Sequence, residues 1–455
     1  MRQYFDMDYT LVEKYNVAVP RYTSYPAVPL WDNKDLNPQS WMDTVLQAFE
    51  EDQELSLYIH LPYCESLCTY CGCNKHITKN HLVELPYVKA VLKEWAMYTS
   101  RFPKKPVLRE IHLGGGTPTF FSPENLKLLI EGILKDAEVA EFHSFSFEAH
   151  PFSTSDEHLQ VLFDLGFNRL SLGIQDFDPK ILSLINRFQT EDQVEHIVSK
   201  AREIGYESIN FDLIYGLPQQ NEGNIYRNLD WVKKLRPDRI AFYSYAHVPG
   251  VAPSQRAYDE NDLPKGEAKW NLYNLGSQGF LKMGYQEIGM DHFALPNDAL
   301  AASAREHKLH RNFMGYTPHH TKLALALGAS SISDAWGAFA QNEKKLKDYL
   351  HRVNKEDLPP VVKSHYHTEE DLKVRAKLLH LICHFEGEWL NDRAYFDAFL
   401  KPRFRLLEED GLVKLFPYQV KVTRRGQAFI RNVCSVLDRR LSVQQLQKPT
   451  FSKAV

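Results

Sequence analysis

The chain has 455 residues, 44% hydrophobic and 25% charged, enough for one large core plus a smaller one. Lys and Arg number 54 against 58 Asp and Glu, a formal charge of −4, so no whole-molecule attraction to nucleic acid or anionic membrane is expected. No run approaches the roughly 18 apolar residues of a membrane span, and the opening MRQYFDMDYT lacks the basic-then-apolar pattern of a secretory signal; a cytoplasmic protein is expected.

In chain order, residues 1–35 are aromatic and Pro-rich (Tyr15, Pro20, Tyr22, Tyr25, Pro26, Pro29, Trp31) without helical periodicity. They read as an arm lying over the body, because so many aromatics are costly in water; a disordered tail is the alternative. Short apolar runs then alternate with amphipathic stretches to about residue 250. The strand candidates are Leu55–His60, Glu110–Leu113, Ser144–Glu148, Arg169–Ile174, Ser208–Ile214 and Arg239–Tyr245. Between them lie helical patterns at Tyr87–Arg101, Pro123–Leu134, Glu157–Leu165, Gln193–Ile204 and Asn224–Leu235. Strands separated by single helices indicate parallel βαβ units. The expected fold is therefore α/β, a partial (β/α)6 barrel with ligands at the strand C-termini. Each candidate strand ends in polar residues or glycines where the cavity rim belongs: Tyr58-Ile-His60, Gly114-Gly-Gly-Thr117, Glu148, Gln175, Asp212 and Tyr245-Ala-His247.

A helix and a strand (Tyr285–Met290) continue the body, so the catalytic domain is expected over residues 36–360, ending at Pro359-Pro360. Residues 361–455 read as a smaller, mostly helical domain closing with helix Pro402–Asp410, ribbon Leu412–Leu415 against Gln419–Thr423, and helix Gly426–Asp438. That order resembles a winged helix. Arg403, Arg405, Arg424, Arg425, Arg439 and Arg440 make it basic, which suits nucleic acid or, as the preferred reading, a cap whose charges face water.

Four of the six cysteines fall at Cys64, Cys68, Cys71 and Cys73; Cys383 and Cys434 stand alone. A disulfide framework spreads its cysteines and needs an oxidising compartment. Structural zinc uses separated pairs, whereas here the spacings are three, two and one within one loop after a strand. Three thiolates could hold three irons of a 4Fe–4S cluster and leave the fourth open for chemistry. Closed zinc is the competing reading.

Cys-x-x-x-Cys-x-x-Cys after the first strand of a partial barrel resembles the signature of radical S-adenosylmethionine (SAM) enzymes. Most of the chain further resembles the oxygen-independent coproporphyrinogen III oxidases. The matching stretches are Tyr58-Ile-His-Leu-Pro-Tyr-Cys64, Gly114-Gly-Gly-Thr-Pro-Thr119, Gly173-Ile-Gln-Asp176, Asn186-Arg187, Asp212-Leu-Ile-Tyr-Gly-Leu-Pro218, Gly289-Met-Asp-His-Phe293, His310-Arg-Asn-Phe313 and Gly315-Tyr-Thr317.

The resemblance implies one 4Fe–4S cluster on Cys64, Cys68 and Cys71, with Cys73 outside the ligand set, and two SAM molecules. It implies Tyr58, Gly115, Glu148 and Ile332 at the first SAM, and Tyr70, Gly116, Thr117, Gln175, Arg187, Asp212 and Ala246 at the second. Tyr58, Glu148 and Phe313 are implied as catalytic. The chemistry of these groups agrees: Glu148 suits an ammonium, Asp212 a ribose hydroxyl or an amine, and Arg187 a carboxylate. The glycines let backbone approach a ligand and are expected to offer it free N–H groups.

The implied reaction is decarboxylation of two propionates of coproporphyrinogen III to vinyls, giving protoporphyrinogen IX. A 5′-deoxyadenosyl radical takes a propionate β-hydrogen, and loss of carbon dioxide and one electron leaves the vinyl. A reducing donor such as flavodoxin or ferredoxin is implied, with a monomer, no nucleic acid and no membrane. Four propionates call for a cationic pocket with apolar walls, and His307-Lys-Leu-His-Arg-Asn312 with Phe313 fits. Related sequences follow the phenylalanine with glutamine; this chain has Met314, and His319 or His320 could compensate. Two rival readings are radical chemistry on haem (ring opening or methyl transfer) and a haem chaperone without turnover, against which Cys73 argues.

Overall fold

Strict alternation of side chains builds the six strands that carry the molecule. The computed structural model describes residues 9–32, 37–250, 252–443 and 451. β1 (Glu54–Leu61) is followed by α1 (Glu84–Thr99), β2 (Val107–Gly115) by α2 (Pro123–Lys135), and β3 (Glu138–Ala149) by α3 (Asp156–Asp164). β4 (Phe167–Gln175) leads to α4 (Glu191–Ile204), β5 (Ser208–Tyr215) to α5 (Glu222–Leu235), and β6 (Arg239–Ser244) to α6 (Gly266–Lys282). Successive strands pair in parallel, as βαβ connections require.

On one face Leu57, Ile59, Ile111, Leu113, Phe145, Phe147, Leu172 and Phe211 are fully buried in the main core with the helices. The alternate face is polar and internally bonded. Ser56 donates to Glu110 at 2.7 Å, Arg169 to Ser144 at 2.7 Å and Asn210 to Ser171 at 2.9 Å, while His112 meets Ser146 at 2.8 Å. Side chains on this face point into the hollow of the sheet.

The sheet extends beyond the six strands. Leu323–Leu327 adds a seventh parallel strand beside β1, followed by antiparallel Ile332–Asp334, Ala338–Asn342 and Val361–Tyr366. At the far edge, His292–Ala294 pairs antiparallel with β6 and with Gln286–Gly289. The outermost strands do not pair with each other, so the barrel stays open. The sheet thus runs past Pro359-Pro360 to Tyr366. A hairpin of His310–Asn312 and Gly315–Thr317 sits against the hollow, where Thr317 donates to Glu110.

The arm departs from expectation by forming a helix, Tyr9–Tyr15, whose Leu11, Val12 and Tyr15 enter the second core. Tertiary burial supplies what the local pattern lacks. Tyr22 and Tyr25 are buried as well, and Trp31 stacks on Phe339 at 5.4 Å between centroids. The expected helix Gly426–Asp438 is broken instead into Arg424–Gln427 and Ile430–Ser435, because buried Phe429 takes φ −108°, ψ 21° between them. The ribbon gains a third strand, Glu386–Glu388. Three of the basic residues are ion-paired: Arg424 with Glu287 at 2.6 Å, Arg440 with Asp371 at 2.8 Å, and Arg439 with Glu370. The remaining parts of the expected arm and cap (1–8, 33–35, 444–450, 452–455) lie outside the described residues. Among the described residues no helix is long and apolar enough to cross a membrane.

Candidate active site

The C-terminal ends of β1 to β5, with Tyr243 of β6, surround a cavity of about 630 Å³. Cys64, Cys68, Cys71, Tyr70, Gly115, Gly116, Thr117, Glu148, Gln175, Arg187 and Asp212 all line it. Four of the six strand ends read as a rim, Gly114–Thr117, Glu148, Gln175 and Asp212, meet at this cavity, while Tyr245–His247 line a second one. Four expected residues lie elsewhere. Tyr58 is outside the lining but on the same hollow face, next to Glu148, its ring stacked on His112 at 5.9 Å and its hydroxyl 3.1 Å from His60. Ala246 borders an adjoining cavity of about 790 Å³ with Arg21, His247 and Lys269. Ile332 sits beyond the seventh parallel strand, paired with Gln341. Phe313 packs on Phe339 at 5.4 Å.

The cysteine loop is closed by parallel pairing of Tyr63–Cys64 with His76–Ile77. Asn186 donates to Leu67 O at 2.8 Å, Thr69 N–H to Ile185 O at 3.0 Å, and Ser254 to Thr69 O at 3.0 Å. These bonds fix the loop to the chain after β4 and β6. Lys75 donates to Cys71 O at 3.0 Å, and the Thr117 hydroxyl donates to Cys64 Sγ at 3.3 Å. All six cysteines are free. Among the described residues no three Cys, His, Asp or Glu side chains converge as one metal ion needs. The donor set, four thiols (Cys64, Cys68, Cys71 and Cys73) lining one cavity, suits an iron–sulfur cluster.

The glycine turn corrects one expectation. Its N–H groups are already used: Gly115 donates to Glu148 at 3.2 Å, Gly116 to Leu61 O at 2.8 Å and Thr117 to Tyr63 O at 2.9 Å. What the glycines supply is room. A Cβ on Gly116 would lie 2.6 Å from the Pro62 carbonyl carbon, and one on Gly115 would lie 2.6 Å from the His60 ring. Gly115 also has φ +115°, open to glycine at no steric cost.

Burial opposes ionisation of Glu148, but His112 at 3.5 Å and the Gly115 N–H outweigh it and hold the carboxylate below its ordinary range. Asp212 goes the other way. Burial first, then the Glu148 charge, push it up to about 7, although Asn210 (2.9 Å) and Ser171 (3.3 Å) donate to it. Buried Arg187 spends Nε on Gln189 at 2.9 Å and Nη2 on Gly173 O, while Nη1 keeps only long contacts to Tyr70 OH (3.5 Å) and Cys68 Sγ (3.6 Å). Gln175 holds φ +71°, a strained conformation that concentrates at functional sites.

Sequence reading missed His150, Phe152, Phe188 and Tyr243 in the wall. Of these, Tyr243 was within reach, since alternation from Arg239 turns it to the hollow.

Residues 58–232 match the Radical SAM superfamily. The chain is 35% identical to the oxygen-independent coproporphyrinogen III oxidase of Pseudomonas aeruginosa, over 98% of each chain. It is 36% identical to the enzyme of that name from Escherichia coli, over 100% of this chain and 99% of the other. The solved coproporphyrinogen III oxidase from Escherichia coli, described as a radical SAM enzyme, superposes with a TM-score of 0.86 at 33% identity. That match covers 96% of this chain and 100% of that one.

Proposed function

The chain belongs to the oxygen-independent coproporphyrinogen III oxidases of the radical SAM superfamily, and on that premise we infer that it converts coproporphyrinogen III to protoporphyrinogen IX in haem biosynthesis. The reaction is oxidative decarboxylation of two propionates to vinyl groups. The observation that carries the reading is the shared cavity of the clustered thiols, the glycine turn, Glu148, Arg187 and Asp212. The relatives' names favour decarboxylation over haem ring opening, methyl transfer or a haem chaperone.

A 4Fe–4S cluster and SAM, when bound, supply a 5′-deoxyadenosyl radical that takes hydrogen from a carbon centre. Cys64, Cys68 and Cys71 would hold the cluster, with Cys73 outside the ligand set. Two SAM molecules would share the site, the first against Tyr58, Gly115, Glu148 and Ile332. The second would meet Tyr70, Gly116, Thr117, Gln175, Arg187, Asp212 and Ala246. Ionised Glu148 accepts from an ammonium, Asp212 from a hydroxyl or amine, and the loosely held Nη1 of Arg187 turns to a carboxylate. The described part of the arm (9–32) and the chain after Tyr366 would cover the catalytic domain and keep water from the reacting centre. The same reading places a monomer in the cytoplasm, reduced by a flavodoxin or ferredoxin, without nucleic acid or membrane partners.

Product mass tests it. The anaerobically reconstituted enzyme, given reductant, SAM and coproporphyrinogen III, should yield a product lacking two carboxyl groups. SAM cleavage with every carboxyl retained would overturn the assignment.

A further inference from the structure

Arg311, on the strand His310–Asn312, is only 4% exposed, yet among the described residues its Nε and Nη1 have no hydrogen-bond partner and no carboxylate pairs with it. Its guanidinium rests on the Tyr316 ring, 4.6 Å from the centroid. Buried Arg239, by contrast, is paired with Asp298 at 2.8 Å. A buried cation left unpaired is costly, and structures keep one where a counter-ion arrives with a ligand.

The surroundings point the same way. Tyr316 contacts the His292 ring at 5.4 Å, and His292 contacts Tyr243 at 5.8 Å. Tyr243 lines the cavity of the thiols, so ring contacts run unbroken from that cavity to Arg311. His292 Nδ1 is a second enclosed atom without a partner. Arg21, from the arm, lies 5.7 Å over the Tyr243 ring and pairs with Asp291 at 3.5 Å. Burial together with Arg311, Arg21 and Arg239 drives the His292 pKa down to about 3, which reports a field of positive sign. The groups that need a partner here are chiefly donors.

We propose that Arg311, flanked by His292 and Arg21, anchors one propionate carboxylate of the tetrapyrrole and so orients the substrate toward the cavity. Tyr316 and Tyr243 supply apolar surface beside the charge, as an amphipathic macrocycle requires. This rests on the coproporphyrinogen reading and adds to it the group that recognises the acid.

The test is fluorescence titration of the full-length protein with coproporphyrin III and, as a carboxylate-free probe, its tetramethyl ester. Arg311→Met should weaken binding of the tetra-acid by about ten- to a hundredfold, the range of one charge-assisted pair, and leave the ester unaffected. Arg311→Lys should fall between, keeping charge without the planar fork. Without ligand, Arg311→Met should melt no lower than wild type, since it removes an unpaired buried cation. Unchanged tetra-acid affinity, equal loss of both probes or a lowered melting temperature would each overturn the proposal. Failure of the wild type to bind the tetra-acid would remove the substrate reading, and the anchor with it.

Discussion

Glu148 accepts the backbone N–H of Gly115 at 3.2 Å, which ties the end of β3 to the glycine end of β2 at the level of the thiols. The bond aims an ionised carboxylate into the cavity with one donor already attached, leaving capacity for an incoming ammonium. Glu148→Gln keeps the shape and removes the charge. It should weaken SAM binding by about ten- to a hundredfold, corresponding to roughly 1.5–3 kcal/mol for a hydrogen bond to a charged group. Equilibrium dialysis with labelled SAM measures this directly.

Cys73 lines the same cavity as Cys64, Cys68 and Cys71, so position alone does not separate it from them. The proposed ligand set does. Alanine at Cys64, Cys68 or Cys71 should each abolish stable iron and sulfide incorporation on anaerobic reconstitution. Cys73→Ala should retain the full complement of both.

The glycine turn allows a packing prediction. In Gly116→Ala the new methyl meets main-chain atoms of Pro62 and Tyr63 at 2.6–2.7 Å, and these have nowhere to move. Chemical denaturation should show a loss of about 1–3 kcal/mol, the range for overpacking. Gly72→Ala, with nothing within 4 Å of its added methyl, should lose much less.

Asp212 sets a pH dependence whose sign follows from its raised pKa. The folded chain keeps its proton up to about 7, while the unfolded chain releases it near the ordinary 3.8. Between these values the native state binds more protons, so the contribution is fully present below the lower value and is lost as pH rises through the upper one. Wild type should therefore lose more stability than Asp212→Asn between pH 5 and pH 7, by at most about 1.4 kcal/mol per pH unit. SAM should bind more tightly to wild type as pH rises toward 7, once the carboxylate ionises, and Asp212→Asn should lack that slope. Denaturation midpoints and SAM titrations at several pH values decide both.

The six βα units were legible because each strand alternates apolar and polar residues and each helix repeats its apolar face. Four of the strand ends could be read as one rim because parallel strands bring their C-termini together. Other parts depend on contacts that no local pattern encodes. Helix Tyr9–Tyr15 forms where the second core receives Leu11 and Val12, and the last helix breaks where Phe429 is buried. Of the short strands from Leu323 to Tyr366 only the first pairs with β1, and each later one pairs with the strand before it, so their assembly depends on neighbours rather than on local pattern. Motif reading likewise took the glycine N–H groups as free, when main-chain bonds to Leu61 and Tyr63 and the side chain of Glu148 had claimed them.

Label transfer tests the reaction most directly. Coproporphyrinogen III carrying deuterium at the propionate β-carbons would be turned over anaerobically, and the 5′-deoxyadenosine analysed by mass. Deuterium in the nucleoside, together with a product short of two carboxyl groups, is the predicted result. Unlabelled 5′-deoxyadenosine alongside decarboxylated product would contradict hydrogen abstraction at that carbon.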